Sequence, residues 1–163
     1  MSPANLHSRR LSPDQPLKLS VLDRLIVPED DSPRSSLRFI RETVRRDLED
    51  LLNSRPRCKG WPASLSELND SLANYGLPDF TGLAVGAPSR QKDFERVLRE
   101  VIETFEPRLQ NVSVERADTP DTLGRTAVFR IEATLCVEPI REPVVFNSTI
   151  EPQTANFTVT NIT

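Results

Sequence analysis

Phe94-Glu-Arg-Val-Leu-Arg-Glu-Val-Ile-Glu-Thr-Phe-Glu-Pro-Arg-Leu-Gln-Asn-Val-Ser-Val114 contains the change of period on which the fold turns. Up to Phe105, the apolar residues Phe94, Val97, Leu98, Val101, Ile102 and Phe105 recur at spacings of three and four. That spacing puts them on one face of a helix. Ser89 stands near its start as a candidate cap. Pro107 disfavours helical geometry at Glu106 and ends the run. Beyond it, Val112 and Val114 alternate with polar residues, the two-residue period of a strand. An amphipathic helix therefore passes through one sharp turn into a half-buried strand.

Downstream the alternation continues. Residues 119–125 have turn chemistry. From Ala127, the residues Phe129, Ile131, Ala133, Leu135 and Val137 alternate with Arg130, Glu132 and Thr134. Val144–Phe146 and Phe157–Thr160 read as two further strands, joined across Glu151-Pro-Gln. Upstream, Leu37, Ile40, Val44, Leu48, Leu51 and Leu52 form a second helical stripe, and Pro56 stops it. Ser35 or Ser36 offers its cap, and Arg38, Glu42, Arg45, Arg46 and Glu49 form a charged face. A basic loop follows over 54–63, and Ser64-Leu-Ser-Glu67 has the form of a capping box, which predicts a short helix to about Ala73. Gly76 suits a left-handed position and Pro78 blocks continuation, while Tyr75, Leu77 and Phe80 are predicted to pack on the core.

Helices first and strands later predict an α+β single domain, with N-terminal helices packed on a mainly antiparallel C-terminal sheet. The 163 residues fit one core. Residues 1–17, polar and proline-rich, read as a flexible N-terminal arm; 18–163 read as the domain, opening on a short apolar helical turn over Leu19–Ile26.

Composition narrows the function. Net charge is −3, against general nucleic-acid binding. Lysine occurs only at Lys18, Lys59 and Lys92, so arginine, the better residue for fixed ion pairs, carries the positive charge. Cys58 and Cys136 sit in unrelated contexts and suggest neither a metal site nor a disulfide. No stretch is apolar enough to span a membrane or act as a secretion signal, so a cytoplasmic protein is expected. His7 is the single histidine and lies in the arm, which leaves no Ser–His or Cys–His pair. The five glycines form no phosphate loop, and no cofactor is expected. Carboxylates are plentiful, so a two-carboxylate hydrolase stays open as the alternative; one Trp and one Tyr give a sugar cleft little to build on.

Two features point instead to partners. Glu106 and Arg108 flank a rigid Pro107 at the helix-to-strand turn. They form either an intramolecular ion pair at a helix stop or a docking pair with little entropy to lose on binding. The terminal strand, with Phe157 and Val159, offers unpaired backbone groups if it lies at a sheet edge, a template for strand addition.

Four segments then share one resemblance: Ser20–Ile26, Asp47-Leu-Glu-Asp-Leu-Leu-Asn-Ser-Arg55, Asn74-Tyr-Gly-Leu-Pro-Asp-Phe80 and Phe105-Glu-Pro-Arg-Leu109. In this order they resemble the TssE family of type VI secretion baseplate subunits, related to the wedge protein that starts the sheath of contractile-tailed phages. Ser54 stands where the family usually has Thr, which keeps the hydroxyl. The resemblance implies a structural part, not an enzyme, although members are often labelled lysozyme-like. It implies that Glu106, Pro107 and Arg108 dock on the wedge core bundle of TssF and TssG, and through the wedge on TssK. It also implies that the C-terminal strands start the sheath of TssB and TssC, at the cytoplasmic face of a bacterial envelope.

Overall fold

In the computed structural model, residues 21, 37–57, 60–79, 88–117, 126–138, 140–151, 154 and 156–162 are described. Helix α1 spans Leu37–Asn53 and buries Ile40, Thr43, Val44, Leu48, Leu51 and Leu52 on one stripe. Helix α2 spans Pro88–Phe105. It buries Phe94, Leu98 and Ile102, with Val97, Val101 and Phe105 partly buried beside them. Because α2 begins at Pro88, Ser89 lies inside the first turn and is not its cap; proline suits that opening position, where its missing N–H loses nothing.

Four strands follow: β1 Leu109–Arg116, β2 Ala127–Val137, β3 Ile140–Glu151 and β4 Asn156–Ile162. They pair antiparallel in chain order, a meander. Helix α1 lies over β4 and helix α2 over β1, so both cover one face of the sheet. That face carries Phe129, Ile131 and Leu135 from β2, Phe146 and Ile150 from β3, and Phe157 and Val159 from β4, all buried. Phe94 meets Phe129 edge to face at 5.1 Å. The α+β class and the antiparallel sheet are as the periodicity predicts.

Three details differ. The segment after Ser64 forms two 3₁₀ turns, Ser66–Asp70 and Leu72–Asn74, instead of a helix. No side chain caps the first turn and neither turn buries a residue, so nothing offsets the nucleation cost of a longer helix. Strand β3 is longer than Val144–Phe146, because Ser148 takes a fully buried inward position and masks the alternation. In β1, Asn111 has φ +53° where the register with β2 shifts between Gln110 and Ser113, a bulge. The arm, Leu19–Ile26 apart from Val21, the caps at Ser35 or Ser36, Phe80 and the turn 119–125 lie outside the described residues. No described helix is long and apolar enough to cross a membrane.

Candidate docking surface

Helix α2 ends where the Glu106 N–H still donates to Ile102 O, at 2.9 Å. The chain then reverses in a four-residue turn, closed by the Leu109 N–H on Glu106 O at 3.0 Å. Pro107 occupies the second position of that turn, where its fixed φ is already correct. On the far side, the Cys136 N–H donates to Arg108 O at 2.7 Å and ties the turn to β2. Helix, turn and sheet thus fix the backbone of the triplet together.

The side chains close on each other. Arg108 Nε donates to Glu106 Oε1 at 2.6 Å and Nη2 donates to Glu106 Oε2 at 2.5 Å, a two-pronged fork. The Arg108 backbone N–H adds a 3.3 Å bond to Glu106 Oε1. Nη2 also donates to Asp47 Oδ2, on α1, at 2.6 Å. Glu106 is 4% exposed, a buried carboxylate held by its fork. Burial works against the Arg108 charge, but the bonds and charge of Glu106, then of Asp47, outweigh it and hold the pKa above the ordinary arginine value. Of the two readings of the pair, the intramolecular one describes the Glu106 carboxylate. Arg108 lies at the solvent margin, with 24% of its side chain exposed.

Sequence reasoning left out Asp47 as a partner of Arg108, although Asp47 opens one of the four quoted segments. The structure brings three of those segments together. Tyr75 stacks edge to face on Phe105 at 5.4 Å. Burial, then the charges of Asp50, Asp47 and Glu106, raise the Tyr75 pKa. Gly76, at φ +112°, lies so close to the end of α1 that a Cβ would stand 2.6 Å from the Ser54 carbonyl. The Leu77 N–H donates to that same Ser54 O at 3.0 Å, and Leu77 is fully buried. A groove of about 900 Å³ opens beside this junction, lined by Arg55, Trp61, Asn74, Pro78 and Asp79 among others. The Trp61 indole N–H donates to Asn69 Oδ1 at 3.1 Å.

The terminal strand lies at a sheet edge, but its outward groups at Phe157 and Val159 are paired. Both side chains point into the core. Asn53 takes both backbone groups of Phe157: Nδ2 donates to Phe157 O at 2.9 Å and Oδ1 accepts from Phe157 N at 2.8 Å. Glu49 Oε2 accepts from Val159 N at 3.0 Å, and Arg45 Nη1 donates to Val159 O at 3.0 Å. Three α1 residues, one turn apart, thus stand in for a fifth strand. A stretch of β3 lacks such cover among the described residues. Its pairing with β4 stops at Val145 opposite Ile162, while its pairing with β2 runs on to Ile140. Strand alternation turns the backbone of Arg141 and Pro143 toward that side, and Pro143 has no N–H to offer there. Arg38, Arg41, Pro143, Val144 and Ile162 line a second groove along it, about 900 Å³.

The family model described as "Baseplate wedge protein gp25" matches residues 39–140. No curated protein matches the chain. Among solved structures, a chain of "The baseplate complex from the type VI secretion system" is similar at 21% identity with a TM-score of 0.48, over 70% of this chain and 96% of that one.

Proposed function

This chain belongs to the baseplate wedge protein gp25 family, and we propose that it is the TssE-type subunit of a type VI secretion baseplate, a structural part and not an enzyme. It docks on the wedge subunits TssF and TssG through Arg108, presented by the Glu106–Pro107 turn, and contacts TssK through them. It gives the first TssB and TssC subunits an edge to build on, at the cytoplasmic face of the envelope.

The observation that carries this reading is the Arg108 fork. Two carboxylates, a proline turn and a bond to β2 hold one guanidinium at the surface, so binding fixes few new torsions. On this reading Glu106 aims Arg108 and makes no partner contact of its own. For sheath initiation, Phe157 and Val159 serve by holding β4 on the core. An added strand finds its acceptor in β3, beside Arg141 and Pro143, in line with the end of β4.

The hydrolase alternative gains no support from the geometry. The groove beside Trp61 has one carboxylate, Asp79, among its described lining residues, and glycoside hydrolysis needs two.

Arg108→Ala tests the docking. The buried Glu106 loses its partner, so the variant is expected to melt at a lower temperature than the parent. Below that melt it is expected to keep its circular dichroism spectrum and to lose co-purification with TssF and TssG. Undiminished co-purification removes Arg108 from the interface.

A further inference from the structure

On the docking reading above, we infer that Asp47 is a positioning residue for Arg108, and that Arg108 makes the partner contact with Nη1, to an uncharged hydrogen-bond acceptor. The distribution of donors leads there. A guanidinium has five N–H bonds. Nε and one N–H of Nη2 go to the two oxygens of Glu106, and the other N–H of Nη2 goes to Asp47. Nη1 donates to no described residue. It is also not among the buried unpartnered atoms, which are Arg41 Nε and Ser148 Oγ, so it reaches solvent. The two N–H groups of Nη1 are therefore the donors left for a partner.

Asp47 sets where those donors point. The Glu106 fork holds one edge of the guanidinium from within the turn itself. Asp47 is on a different element, α1, and its 2.6 Å bond fixes the plane from a second direction. Arg46 reaches the other oxygen, Asp47 Oδ1, at 3.0 Å from the solvent side, and steadies that carboxylate.

Charge selects the kind of acceptor. With Arg46 on Asp47 as well, the cluster holds two carboxylates and two guanidiniums and is neutral, so the charge of Arg108 is already balanced. A partner carboxylate would be desolvated against a charge that its neighbours already balance. A main-chain carbonyl or a side-chain amide oxygen carries no charge to desolvate.

The test is a titration of the full chain against immobilised TssF–TssG complex, with thermal melting of each variant alongside. Asp47→Ala is expected to weaken binding about tenfold, the worth of one charge-assisted bond, with a melting curve close to the parent's. Asp47→Asn, which keeps an acceptor oxygen in place, is expected to recover most of the loss. Binding is expected to change little between low and moderate salt. Parent-like binding by Asp47→Ala overturns the positioning role. Tighter binding by Asp47→Asn than by the parent, with a steep salt dependence, overturns the uncharged acceptor. Arg108→Ala in the same titration separates the two levels. If it also binds as the parent does, the docking reading falls; if it alone loses binding, only the role of Asp47 falls.

Discussion

Gly76 has two reasons to be glycine. Its φ of +112° disfavours any side chain, and the Ser54 carbonyl leaves no room for a Cβ. Gly76→Ala is therefore expected to destabilise the fold by about 1–3 kcal/mol, read from urea unfolding; an unchanged midpoint would mean that the junction with α1 yields freely. The left-handed position was legible from the sequence, since glycine before proline follows a helix-like stretch. The close approach was not, because no local spacing reports which distant backbone lies alongside. Arg108 shows the same division. Its place beside Pro107 gave the turn, but its bond to Asp47 depends on how α1 crosses the end of α2. Arg108→Lys keeps the charge and loses the fork. The expected outcome is a folded protein with weakened capture of TssF and TssG, measured by pull-down; full capture by the lysine variant would show that charge alone suffices.

Helix α1 works on two sides. One stripe fills the core, and Arg45, Glu49 and Asn53 on its flank cap the outer edge of β4. The charged face was read from the sequence as a face; its duty as edge cover could not be, since that depends on the helix lying along β4. Glu49→Ala combined with Asn53→Ala should expose three backbone groups of β4 and promote edge-to-edge pairing of copies. Light scattering is expected to show a rise in mass with concentration, absent in the parent. A variant that stays at the parent's mass would show that Arg45 and the shortness of the strand protect the edge alone. Strand legibility followed the side chains. Strand β2 was read to its true ends because every inward residue is apolar. Strand β3 outruns its apolar alternation because Ser148 faces inward and Pro143 sits at an open edge. The 3₁₀ turns differ from the expected helix because the capping-box pattern has no apolar stripe behind it.

Across the whole molecule, the meander pairs each strand with its chain neighbour, and both helices press on the same face. The Arg108 turn is part of that frame, joined to α2, β2 and α1 at once. The open stretch of β3 belongs to the same sheet. On the proposed function, one sheet frame would carry both the turn that docks on the wedge and the edge that starts the sheath. The most direct test is to co-express the chain with TssF and TssG and weigh the purified complex by native mass spectrometry. The account predicts a complex of fixed stoichiometry with the parent chain and its absence with Arg108→Ala. A parent chain that purifies apart from TssF and TssG, or an Arg108→Ala chain that assembles as well as the parent, would contradict it.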